Sequence, residues 1–104
     1  MRVFLSQPMK DRSDEEILSE RDSIFSRLRE KNPDVIEIPS FIPKMNTKHL
    51  GNDVYMLANS IKMMSEADLV VFAPGWESAN GCVIERAICR TYGIPCDESE
   101  FVCG

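Results

Sequence analysis

The residues whose types and spacing can do chemistry fall mostly between residues 67 and 95. Glu85 stands about one turn inside a helical pattern that follows the short polar loop Trp76 to Asn80. The positive end of a helix stabilises a carboxylate as an anion. Such an anion can attack an electrophilic sugar carbon or hold a sugar hydroxyl, although a solvent-facing helical Glu is the plainer alternative. Ser78 and Asn80 add side-chain donors, and the free N–H groups of the helix start suit a phosphate or a ribose hydroxyl. A capped loop that binds nothing is the competing reading. Neither G-x-x-x-x-G-K-[ST] nor G-x-G-x-x-G is present, so the signal comes from topology and not from a nucleotide motif.

Other candidates are weaker. Trp76 is the only Trp, placed to stack on a base, close a pocket or meet another subunit. Ser6, Gln7, Pro8 and Met9 follow the first apolar run and border the same crevice. Arg12, Lys44 and Lys48 can bring positive charge to it, and each is as well read as a solvated cation. His49 is the only His; with no Ser or Cys motif around it, it reads as an ordinary loop residue. Cys82, Cys89, Cys96 and Cys103 recur every seven residues. At about 1.5 Å per residue along a helix, Cys82 and Cys89 are about 10 Å apart, too far to pair with each other. They read as reduced thiols, with a disulfide at Cys96 or Cys103, or reactivity at Cys82, as the alternatives. No cluster has metal spacing, and no cofactor is implied.

The elements that must position these groups alternate along the chain. Val3-Phe4-Leu5 is a short buried strand ended by Ser6-Gln7-Pro8. Ser13-Asp14-Glu15-Glu16 matches a capping box and opens a helix. That helix carries Ile17, Leu18, Ile24, Phe25 and Leu28 on one face and Glu20, Arg21, Arg27, Arg29 and Glu30 on the other, and Asn32-Pro33 stops it. Val35, Ile36 and Ile38 form a second strand. Residues 40–52 read as a long loop with room for one helical turn, and Asn52 or Asp53 caps the next helix, whose buried face is Val54, Leu57, Ala58, Ile61 and Met64. Met56, Met63 and Met64 read as core filler. Residues 68–72 are the most apolar strand. The helix at about residues 80–92 shows an i, i+3, i+4, i+7 stripe of Ile84, Ala87, Ile88 and Thr91, and Gly93 with Pro95 closes it. Ile94 to Cys96 starts a fourth strand, and the tail from Asp97 is acidic and weakly patterned. Long helical connections between strands give an α/β fold: a three-layer, flavodoxin- or Rossmann-like parallel sheet of about four strands with helices on both faces.

The chain's 104 residues fit one domain spanning 1–104. The net charge of −5 argues against a nucleic-acid polymer or an anionic membrane as partner, because both require Lys and Arg. No apolar run approaches the roughly 18–20 residues that cross a bilayer. The start, MRVFLSQPMK, has too short an apolar core for a secretory signal, so a cytoplasmic protein is the expectation.

The loop and helix resemble the nucleoside 2-deoxyribosyltransferase superfamily, with most likeness to its small bacterial and phage branch of unknown function. The residues that carry this are VFLSQPM at the start, the Asp-Glu-Glu helix opening, Ala67-Asp68, Gly81, Glu85, the segment Ala87 to Cys89, and Gly93-Ile94-Pro95. The resemblance implies that Glu85 is the nucleophile at an anomeric carbon, forming a glycosyl-enzyme intermediate. It further implies that Ser78 to Gly81 hold sugar or 5′-phosphate, and that Ser6 to Met9 border the base or sugar. Two departures stand out. Ser60 occupies the place where the superfamily often has an acid near the leaving base, and Cys89 stands four residues after Glu85 where an Ala is usual. In the characterised enzymes a neighbouring subunit completes the site, so a homo-oligomer, dimer or higher, is expected.

The sequence therefore sets these expectations: N-glycosidic bond cleavage or transfer on a nucleoside or nucleoside 5′-monophosphate, by an N-glycosidase- or N-deoxyribosyltransferase-like enzyme. Glu85 is catalytic; Ser6, Gln7, Pro8, Met9, Trp76, Ser78, Asn80 and Gly81 bind the substrate; Ser60 is an accessory residue. The alternative is a non-catalytic nucleotide or sugar-phosphate sensor.

Overall fold

The computed structural model describes residues 1–41 and 53–103. Four strands, β1 (Arg2–Ser6), β2 (Ile36–Glu37), β3 (Leu69–Phe72) and β4 (Cys96–Glu98), form one sheet in the order β2-β1-β3-β4. Every pairing is parallel, and β1 runs beside β3 from Val3 opposite Leu69 to Ser6 opposite Phe72. The helices are α1 (Asp14–Lys31), α2 (Asp53–Met64), α3 (Asn80–Tyr92) and α4 (Ser99–Cys103), with a 3₁₀ turn at Trp76–Ser78. The expected α/β fold with a four-stranded parallel sheet and helices is the one observed.

Strand alternation sorts the core into two layers. Val3, Leu5, Val71 and Ala73 face α1 and pack with Ile24, Phe25 and Leu28, with Val102 and Cys103 of α4 against them. Phe4, Val70 and Phe72 face the opposite way, toward Met64 of α2 and Cys82 and Cys89 of α3. The capping box forms as read: the Ser13 side chain accepts from the Glu16 N–H at 3.1 Å, and Glu16 reaches back to the Ser13 N–H. Gly93 closes α3 at φ 70°, a conformation that a Cβ would strain.

Several element-level expectations are corrected. In α1, Leu18 lies outward and Arg21 is buried in its place. Arg21 leaves the charged face because its guanidinium has partners inside: it donates to Glu37, to the Ile38 carbonyl and to Ser40, and it lies over the Phe25 ring. Ile36 faces outward because β2 is a two-residue edge strand, while Val35 and Ile38 are buried. In α2, Met64 is buried but Val54 and Ala58 are exposed. In α3, Ile84, Ala87 and Thr91 are exposed, and the buried line is Cys82, Glu85 and Cys89. The apolar stripe was real, but the helix turns a different face to the sheet. The tail read as unpatterned supplies most of β4 and all of α4. Residues 42–52, with the expectations for Lys44, Lys48, His49 and an Asn52 cap, lie outside the described residues.

Candidate functional site

In the order β2-β1-β3-β4, successive connections leave β1 and β3 toward opposite sides of the sheet. Ligands in open parallel sheets bind beyond the strand ends at such a switch point. Ser6 ends β1 there, and the Ala73 N–H donates to the Ser6 carbonyl at 2.9 Å, so the two strands stay joined up to the crevice. Because Ser6 is in register with Phe4, its side chain faces α3.

Glu85 comes to the same point from α3. The Ser6 hydroxyl donates to Glu85 Oε1 at 2.6 Å, joining residues 79 apart in sequence. The pair is deeply buried: Ser6 is 1% exposed and Glu85 5%. Among the described residues, no donor reaches Glu85 Oε2. Burial pushes the Glu85 carboxyl up to about 7, and the Ser6 hydrogen bond opposes that rise only in part. At neutral pH the group therefore stands between carboxylic acid and carboxylate.

Burial also pushes the Cys82 thiol up to about 11, with the Ser6 hydrogen bond opposing and the nearby Glu85 charge adding to it. The reactivity considered for Cys82 is thus corrected: loss of hydration outweighs its place at a helix start. All four cysteines are free, so neither Cys96 nor Cys103 is in a disulfide.

The remaining sequence candidates divide. Gln7 is 6% exposed, but its amide is committed to α1, donating to the Ile17 carbonyl at 2.8 Å and to Glu20 at 2.9 Å, while its Oε1 is sealed without a partner. Pro8 and Met9 are half-buried; Arg12 ties them down, its side chain donating to the Pro8 carbonyl and its N–H to that of Met9. Gly81 lies where α3 faces α2, and a Cβ there would make only ordinary contact with Leu57 at 3.8 Å. Ser78 and Asn80 are exposed at the start of α3, whose cap residue Ala79 gives no side-chain hydrogen bond. Ser60 is half-buried on α2.

Trp76 is not an open stacking platform. It packs on Phe72 with ring centroids 5.5 Å apart, and the Arg86 guanidinium lies 4.9 Å from its ring centre. Among the described residues, Arg86 Nε and Nη1 have no hydrogen-bond partner, and the two rings take their place. Trp76 also borders a cavity of about 190 Å³ with Phe72, Gly75, Glu77, Glu98 and Glu100. That cavity is on the β3–β4 side, and Glu85 does not line it. Its three carboxylates disfavour an anion. A second hollow of about 310 Å³, among Asn59, Lys62, Met63 and Glu66, touches none of the candidates.

Sequence reasoning missed Glu20 as the acceptor shared by Gln7 and Arg12, which fixes the loop after β1. It also missed Arg86. The only available signal was their charge, which reads equally as a solvated helix face. Among the described residues, no group of three or more His, Cys, Asp or Glu can hold a metal ion. No helix among them is long and apolar enough to cross a membrane.

Comparison with known proteins yields one match: residues 1–97 match a domain of unknown function, DUF4406. No curated protein and no solved structure matches the chain.

Proposed function

This chain belongs to the DUF4406 family, whose description names no activity, and we propose that it cleaves or transfers the N-glycosidic bond of a nucleoside or nucleoside 5′-monophosphate with Glu85 as nucleophile. The observation that carries this reading is the buried Glu85 carboxyl at the sheet's switch point, with one oxygen held by Ser6 and the other without a donor among the described residues. The resemblance to nucleoside 2-deoxyribosyltransferases gives that carboxyl its substrate class.

In this reading Glu85 bonds to the anomeric carbon as the carbon–nitrogen bond breaks. The electron pair leaves on the base nitrogen, which takes a proton from water. Water then adds to the anomeric carbon, the ester carbon–oxygen bond breaks, and the carboxylate is restored as the water's proton is lost. A second base in place of water gives transfer. A carboxylate in poorly hydrated surroundings acts strongly on the positive charge that develops on the sugar. The side-chain-free cap at Ala79, with Ser78 and Asn80 exposed beside it, suits a 5′-phosphate at the start of α3. Ser60 supplies no acid to the leaving base, which favours hydrolysis over exchange.

Exposed Val54 and Tyr55 on α2 and Val83 and Ile84 on α3 fit a homo-oligomer. Four unpaired thiols fit a reducing, cytoplasmic setting.

The test is chromatographic detection of free base from a panel of nucleosides, deoxynucleosides and their 5′-monophosphates. The wild type is expected to release base, and Glu85→Gln to lose at least about a hundredfold. A wild type that releases none, but is stabilised to heat by a nucleotide, would establish the sensor reading instead.

A further inference from the structure

We propose that Ser6 is the positioning residue for Glu85, holding Oε1 and thereby assigning Oε2 as the oxygen that reacts. This deepens the reading of Glu85 as nucleophile and rests on it. It replaces the expectation that Ser6 binds substrate, since a residue 1% exposed at a strand end offers a substrate almost no surface.

The geometry leaves the hydroxyl little freedom. The Ser6 backbone is fixed on β3 through the Ala73 N–H. The next residue, Gln7, is anchored on α1 at Ile17 and Glu20, and Arg12 joins the same Glu20 at 3.0 Å. Across the sheet, Glu85 rides on α3, whose neighbouring turns Cys82 and Cys89 are packed into the core. The Ser6–Glu85 hydrogen bond is thus held from both ends.

Its chemical consequence follows from having one proton to donate. A hydroxyl that donates to Oε1 stabilises the carboxylate and orients its plane, and Oε2 keeps its lone pairs for the anomeric carbon. When Oε2 forms the ester bond, Oε1 becomes the carbonyl oxygen and still accepts from Ser6. When water releases the sugar, the returning negative charge is shared with an oxygen that is already hydrogen-bonded. Ser6 therefore acts on the chemical steps and not on substrate capture. Among the described residues, the titratable groups that act on Glu85 are Cys82 and Cys89 on its own helix, both held as thiols by burial, and Ser6 is the hydrogen-bond donor that favours its charged form.

The experiment compares wild type, Ser6→Ala and Ser6→Thr by two measurements on the full chain. One is the titration of the Glu85 carboxyl carbon by NMR; the other is the pH dependence of base release. Ser6→Ala is expected to raise the Glu85 midpoint by about one pH unit and lower kcat by about tenfold, with KM changed less than about threefold. Ser6→Thr, which keeps the hydroxyl, is expected to restore both. A Glu85 midpoint that does not move in Ser6→Ala, while wild type releases base, overturns the positioning role alone. A loss expressed in KM with kcat unchanged overturns it in favour of substrate contact. A wild type that releases no base overturns the nucleophile reading itself, whatever the titration shows.

Discussion

Glu85 is the residue at which function and stability oppose each other. Its carboxyl stands at about 7 in the folded chain against an ordinary value of 4.5. Between those values the folded state keeps a proton that the unfolded state has released. The stabilisation is complete below about pH 4.5 and is lost as pH rises through about 7. By linkage the difference is worth about 3 kcal/mol. Glu85→Gln keeps an acceptor for Ser6 and avoids burying charge. It should therefore exceed wild type by about 2–3 kcal/mol in urea unfolding at pH 8, with the gap closing toward pH 4.5. A gap independent of pH would show that Glu85 does not titrate in this range. Activity should run the other way. A nucleophile must be ionised, so kcat/KM should rise through about pH 7 and level off above it. A fall above pH 7 would mark Glu85 as a proton donor. The Cys82 thiol, held up near 11 by burial, should resist a disulfide reagent in native buffer and react on unfolding.

At the scale of elements, α1 does two jobs that its sequence shows unequally. Its capping box was legible because Ser13 and Glu16 are three residues apart and satisfy each other locally. The burial of Arg21 was not, because Glu37, Ile38 and Ser40 lie 16–19 residues away. Arg21→Met should cost about 3 kcal/mol in urea unfolding by stranding Glu37 and the chain end after β2. A cost near zero would show that the ion pair is dispensable. The α3 helix was read correctly in extent and wrongly in rotation. Ile84, Ala87 and Thr91 have the helical period, but so do Cys82, Glu85 and Cys89, and only the sheet decides between the two faces. Hydrophobicity favoured the wrong one because the true inner face carries a carboxyl. Its end is simpler: nothing lies within 4 Å of a Cβ built on Gly93, so Gly93→Ala should cost only the left-handed backbone, about 1 kcal/mol by thermal unfolding.

Across the whole molecule, what was legible is what local pattern determines. Val3-Phe4-Leu5 and the run from Leu69 to Phe72 read as buried strands from their apolar runs and the turn residues after them, and they pair as parallel neighbours. Glu85 was singled out by its place after a strand and a polar loop, and its role came by resemblance alone. Its burial was not legible, because the plainer reading of a helical Glu is a solvent-facing one. The hydroxyl that holds it was placed in the loop after the first strand, but its hydrogen bond to Glu85 was not legible, because a contact spanning 79 residues leaves no local trace. A fourth strand was expected to start at Ile94 to Cys96, but its run to Glu98 and all of α4 escaped, because an acidic segment of eight residues carries too few periods to read. The central claim is that Glu85 forms the covalent bond to the sugar. It is tested most directly by acid-quenching the protein during turnover of a nucleoside 5′-monophosphate that it cleaves, and mapping its peptides by mass. One glycosyl adduct is expected, on the peptide containing Glu85 and absent from Glu85→Gln. Base release with no adduct on that peptide would contradict it.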